Sequence, residues 1–313
     1  MRYEKITLTK SKKRRIFREN LYLFLLTVPG LVLMFVFDFF PMVLEKTLPF
    51  KKFVPRLGVF GSEWAGLENF RIFFGGVNAW RLIRNTFLYG CYFLFSSVIL
   101  ASAVAVLFYW LKSRRAGNVY RTIVQLPRFL TVIVLSYITF AFLSPQYGLL
   151  NQWITESGGE AIKWYSETKY WPFILCFMRS WSHVGIQFLL YYATLLGIDE
   201  ELFDAASLDG ATTWQKTRYV AFPVLKSVMA FNLIMGVGAL VSVDFGLFDA
   251  LPRAQGLLYP VTDVIGTYVY RGTLSGDLTG PAAIGLLQNV IQVILVVGAN
   301  AIIRKIDPDS SMF

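Results

Sequence analysis

Few side chains in this chain could do chemistry, and most of those sit where charge is costly. Arg179, Ser180, Trp181, His183 and Gln187 interrupt one apolar run; Asn232, Ser242 and Asp244 interrupt another; Asn289 and Gln292 a third. Polar groups inside hydrocarbon are costly, so they mark either a solute path or a hydrogen bond between helices. Arg179, His183 and Gln187 recur every four residues and share one helix face. Trp181 lies off that stripe. The available chemistry is hydrogen bonding and charge pairing. A single His excludes a histidine-based metal cluster, and the scattered carboxylates do not form a catalytic group. Cys91 and Cys176 both lie in apolar runs and read as small core hydrophobes rather than a disulfide or metal pair. No metal ligand set is expected.

A second group of polar residues has a different character. Asp204-Ala205-Ala206-Ser207-Leu208-Asp209-Gly210 lies between long apolar runs and is followed by Val220, Phe222 and Pro223. Glu201–Asp209 suits a short helix, and Gly210 can take the left-handed conformation that stops it. Thr212 or Thr213 can cap a second helix through Trp214 to Tyr219. Pro223 is expected to limit that helix and lead into the next apolar run. Small residues let a partner's backbone approach, while Phe203 and Leu208 can fill apolar holes. The expected product is a rigid knob built for docking.

The elements that must carry these residues follow from composition. The 313 residues are 55% hydrophobic and only 16% charged, with mean hydropathy +0.52. A soluble domain would carry about 25% charged residues, so the chain belongs in a bilayer. A helix needs roughly twenty apolar residues to cross. Six segments qualify: 21–40, 86–110, 123–142, 172–196, 228–248 and 282–303. Nothing alternates like barrel strands, so the expected fold class is an all-α polytopic membrane protein. With residues 1–20 inside, the inner segments hold 17 Lys or Arg and the longer outer loops hold 11. That asymmetry obeys the positive-inside rule and puts both termini and the 197–226 segment in the cytoplasm. It also accounts for the net charge of +10 without nucleic acid. Residues 1–20 form a basic cytoplasmic leader rather than a cleaved signal, 21–303 the six-span domain, and 304–313 a cytoplasmic tail. Arg128, beside Pro127 at the inner start of the third run, is placed to snorkel to headgroups.

The knob carries a family pattern. Glu-Ala-Ala, three residues, Gly, nine residues, an aliphatic residue, one residue, an apolar residue and Pro read here as Asp204, Ala205, Ala206, Gly210, Val220, Phe222 and Pro223. Asp for Glu keeps the charge and shortens its reach. This resembles the membrane subunit of binding-protein-dependent ABC importers. Leu26–Gly30, Gly66–Phe70 and Arg84-Asn85-Thr86 are similar to sugar permeases of the maltose-type class, and Thr262–Arg271 with Ala283–Leu286 looks like the LplB-type branch.

The resemblance implies a type I importer permease fold with six transmembrane helices in a bacterial cell membrane. It implies a heterodimer with a second homologous permease subunit, ATPase subunits below, and an extracytoplasmic solute-binding protein or lipoprotein above. The cargo it implies is carbohydrate, in that branch complex oligosaccharides. Asp204, Ala205, Ala206, Gly210 and Pro223 would couple to the ATPase. The chain has no Gly-x-x-x-x-Gly-Lys-Ser/Thr loop, so ATP and Mg would sit on the partner subunits and this subunit would be non-catalytic, with no cofactor of its own. Two readings of the intramembrane polar residues stay open. Arg179, Gln187, Asn232 and Asp244 line a sugar path, with Trp181 or Phe245 as a stacking surface; or they are interhelical bonds and an Arg179–Asp244 pair that hold the bundle. The rival to the importer is an ion-coupled secondary transporter titrating Asp244. That class commonly shows inverted repeats, and none is visible.

Overall fold

The computed structural model describes residues 10–306. The expected leader therefore falls outside the description for residues 1–9, as does the expected tail for residues 307–313. Among the described residues, five helices are long and apolar enough to cross a bilayer: span 1 (Asn20–Phe50), span 2 (Ala79–Tyr109), span 4 (Thr168–Leu196), span 5 (Thr213–Val241) and span 6 (Thr279–Lys305). Span 3 is a helix pair, Arg115–Phe129 and Val132–Leu143, bent by 101°. Counting that pair once gives six spans. The only strands among the described residues are Lys51–Lys52 and Glu63–Trp64, paired antiparallel with Lys51 opposite Trp64.

Span 3 corrects the expectation of one straight helix over 123–142. Pro127 supplies no N–H, and residues Leu126–Phe129 tighten into a 3-10 turn. Thr131 then leaves the helical region and accepts a hydrogen bond from the Val134 N–H, which starts a new helix. Gly185 of span 4 permits the crossing there, because a Cβ at that position would lie 2.5 Å from the Val124 carbonyl oxygen.

Two other prolines do not break their helices. The Phe40 N–H reaches back to the Phe35 carbonyl, and the Phe222 N–H reaches back to the Thr217 carbonyl. Each is a five-residue π turn immediately before a Phe-Pro pair. A proline ring in a regular helix collides with the carbonyl four residues earlier. The wider turn gives it room. Span 1 therefore runs past Pro41 to Phe50, beyond the expected end at Phe40. Span 5 likewise begins at Thr213 and passes through Pro223. The helix that Pro223 was expected to limit is thus the first part of the span itself.

Span 5 also ends early. Ser242, Val243 and Asp244 leave the helix, and the Asp244 carboxylate caps a separate short helix, Phe245–Ala250, through the Gly246 N–H at 3.0 Å. A short Asp side chain that bonds nearby backbone favours this exit. Asp244 and Phe245, expected within a span over 228–248, lie beyond its end.

Span 2 packs along most of span 4. Gly90 of span 2 meets the end of span 5, where a Cβ would stand 2.2 Å from the Leu240 carbonyl oxygen. One apolar cluster joins Tyr89, Leu135, Trp171, Leu175, Met178 and Leu247 at one end of the bundle. A second joins Ala101, Ala105, Phe188, Tyr191, Leu195 and Leu225 at the other end, and includes Phe203 of the knob. The apolar window of span 1 is unburied, while its end, within Phe40–Phe50, packs against span 6.

Candidate functional site

The knob is anchored on one face and bare on the other. Its helix, Glu200–Leu208, starts at Asp199, whose carboxylate accepts from the Glu201 N–H at 3.1 Å. Glu200 and Glu201 in the first turn suit the positive end of the helix dipole. Phe203 is buried, 5.6 Å from the Trp110 ring in an edge-on arrangement and 5.5 Å from the Tyr109 ring. Burial of that side chain is worth about 1.5–3 kcal/mol. Phe203 thus fills a hole in its own bundle, not one in a partner, as the sequence had allowed. Leu208 is 91% exposed and Trp214 is 70% exposed, and Asp204 and Ala205 are exposed between them. Ala206 is half-buried.

The bend between the two helices is tightly specified. Gly210 takes φ 73°, and the Ala211 N–H donates to the Ala206 carbonyl at 2.9 Å, closing a Schellman-type end. Thr212 caps the next helix. Its hydroxyl accepts from the Gln215 N–H, and the Gln215 side chain accepts from the Thr212 N–H at 2.7 Å. Lys216 donates to the Ser207 hydroxyl across the bend. Trp110 Nε1 donates to the Thr217 hydroxyl at 2.8 Å, tying the second arm to the end of span 2. The bend is therefore bonded to the end of span 2 and continuous with span 5.

A largely apolar cavity of about 220 Å³, with several polar groups in its lining, lies between spans 2, 4 and 5. Arg179, Gln187 and Asp244 line it, as do His183, Ser96 and Ser97. The Arg179 guanidinium lies 5.4 Å from the Phe93 ring centre, and its Nε is buried without a hydrogen-bond partner. The Arg179–Asp244 ion pair that one of the two readings allowed is not formed among the described residues. The other three path candidates lie elsewhere. Asn232 donates to the Tyr191 hydroxyl at 2.9 Å, an interhelical bond. Phe245 stacks on Tyr270 with centroids 5.0 Å apart. Trp181 is not among the lining residues. Ser96 and Ser97 were not singled out from the sequence; each hydroxyl bonds the carbonyl three residues back, as apolar helices tolerate. A Ser-Ser pair inside an apolar run was the available signal.

A charged clamp was also missed. Asp263 is 2% exposed, and its carboxylate pairs with Arg81 at 3.0 Å and Arg271 at 2.7 Å, and accepts from the Thr267 hydroxyl at 2.7 Å. Asn85 Nδ2 donates to the Asp263 carbonyl at 2.9 Å, and the Tyr89 hydroxyl donates to the Val261 carbonyl at 2.8 Å. Together these hold the start of span 2 against residues 260–267.

Residues 97–309 match the family model described as "Binding-protein-dependent transport system inner membrane component". The chain belongs to that family. It is an inner-membrane, multi-pass, non-catalytic permease component of an ABC importer, which removes the ion-coupled carrier reading. It is 28% identical to "Protein LplB" of Bacillus subtilis (strain 168), over 93% of this chain and 91% of that one. It is 26% identical to the polygalacturonan/rhamnogalacturonan transport system permease protein YteP of the same organism, over 95% and 92% of the two chains. It is also similar to a chain in a solved structure of a bacterial alginate ABC transporter in complex with alginate pentasaccharide-bound periplasmic protein. There the TM-score is 0.83 at 24% identity, covering 93% of this permease and 97% of that chain. The two share a fold.

Proposed function

We propose that this permease carries carbohydrate, specifically complex oligosaccharides, into the cell by alternating access driven by separate ATPase subunits. The observation that carries the mechanism is the knob: a bend bare on its outer face and rooted through Phe203 and Thr217 in the spans that line the cavity. Asp204 offers a charge to a basic group on the ATPase, Ala205 and Ala206 a close-packing surface, and Gly210 the turn. Pro223 lies on the arm that continues into span 5. Closure of the ATPases around ATP and Mg displaces the knob, and spans 2 and 5 move with it.

The cargo reading draws on relatives whose names refer to polygalacturonan, rhamnogalacturonan and alginate. The cavity is smaller than the roughly 300–1,000 Å³ of a drug-sized ligand site. A second, homologous permease subunit would complete it, and the unburied apolar window of span 1 offers a surface to that subunit. A solute-binding protein would deliver cargo to the end that carries the Asp263 clamp. Both termini and the knob then lie in the cytoplasm, with residues 1–20 as leader, 21–303 as the spanning domain and 304–313 as tail.

The test is purification from the membrane with all subunits tagged in turn. The ATPase should come down with this chain, and the assembled complex in proteoliposomes should take up oligosaccharide only with ATP and binding protein present. ATP-independent uptake would refute the proposal.

A further inference from the structure

Arg179 is a cation in the bundle that forms no ion pair among the described residues, although Asp244 lines the same cavity. It lines the cavity, its Nε is buried with no hydrogen-bond partner, and the Phe93 ring lies 5.4 Å from the guanidinium centre. A charge taken out of water is destabilising unless paired. The single carboxylate in the lining is that of Asp244, and one of its oxygens is engaged by the Gly246 N–H. The lining thus holds one guanidinium and one carboxylate, and no ion pair joins them among the described residues.

Arginine can donate but not accept hydrogen bonds, and its planar fork matches a carboxylate through two parallel bonds. Sugar hydroxyls can be held by the serines and by Gln187. They do not require a charged donor that the fold leaves unsatisfied. We infer that Arg179 is a specificity-determining residue and that the cargo carries uronate carboxylates, one of which pairs with Arg179 during passage. The Phe93 ring, 5.4 Å from the guanidinium centre, offers a cation–π contact beside the site. This inference rests on the oligosaccharide-importer reading.

The experiment uses the complete transporter, with its binding protein, in proteoliposomes. The probes are trigalacturonate and trimannuronate, each beside its carboxyl-reduced neutral counterpart. The wild type should take up at least one uronate in preference to its neutral partner. Arg179→Gln should lower uronate uptake by roughly 10- to 100-fold, the span expected for losing a hydrogen bond to a charged group, and leave any neutral uptake unchanged. Arg179→Lys keeps the charge without the fork and should recover part of the loss. Equal uronate uptake by wild type and Arg179→Gln overturns the inference. So does equal loss of both probes in Arg179→Gln and Arg179→Lys, which would mark a structural role. Import of neutral probes alone, or binding-protein-stimulated ATP hydrolysis with no uronate import, overturns the inference and leaves the importer standing. Absence of both import and stimulated hydrolysis overturns the importer reading as well.

Discussion

Replacing Gly210 separates the bend of the knob from everything around it. Gly210 holds φ 73°, and a Cβ built there meets nothing within 4 Å. A Cβ therefore meets no atom of this chain, and the effect of substitution within the chain is the left-handed backbone. That conformation destabilises an ordinary L-residue by about 1–2 kcal/mol. Asn tolerates it better, and a β-branched residue tolerates it worst. A penalty of 1–2 kcal/mol corresponds to a factor of roughly 5–30 in the population of the bent knob. Gly210→Asn, Gly210→Ala and Gly210→Val should then lose coupling in that order. The assay is the ratio of solute imported to ATP hydrolysed in proteoliposomes, with subunit co-purification as the control for assembly. Assembly should be unchanged in all three variants, because no packed atom is displaced. Equal coupling across the series would refute the role given to this bend. Failure of the Asn variant to assemble would refute the claim that its surroundings are open.

Other sites make sharper demands on packing. In Gly90→Ala the new Cβ stands 2.2 Å from the Leu240 carbonyl oxygen, against 3.4 Å for ordinary contact, so spans 2 and 5 must separate by about 1.2 Å. Overpacking of this kind is destabilising by about 1–3 kcal/mol; thermal unfolding in detergent should show a lowered midpoint, and wild-type stability would contradict the close crossing. Tyr165, in the loop before span 4, has a buried hydroxyl without a partner, and burial raises its pKa to about 12. Tyr165→Phe should be neutral or stabilising, by up to about 1–3 kcal/mol. Because the folded pKa exceeds the unfolded value of 10.0, the wild-type loop keeps full stability below pH 10 and loses it as pH rises toward 12. Phenolate absorbance should show that loss, and the Phe variant should lack it.

Span number and approximate span position were legible because apolar runs of bilayer length have few alternative fates. Their ends were not. Pro223 read as a stop and the first run was ended at residue 40, since the π turn that accommodates each following proline depends on backbone slack that no residue type announces. Asp244 read as an intramembrane charge because Val228–Phe248 is continuously apolar around it; its preference for capping the Phe245–Ala250 helix ended the span instead. At the candidate site, the knob was legible as local chemistry: a stop at Gly210 and a cap at Thr212. The inward aim of Phe203 was not, since it depends on Tyr109 and Trp110 from a distant span. The same limit hid the Asp263 clamp. Arg84-Asn85-Thr86 and Thr262-Asp263 were both noticed, but Arg81 and Asp263 lie 182 residues apart and only the tertiary fold joins them.

The most direct test of the coupling mechanism is site-specific cross-linking from the bare face of the knob. Cysteine or photo-reactive residues at Asp204 and Leu208 should capture the ATPase subunit in an active, assembled complex, with a yield that changes when ATP is bound. The same probe at Phe203, which is turned into the bundle, should capture none. An ATPase left uncaptured by Asp204 and Leu208 in a transporting preparation would contradict the mechanism.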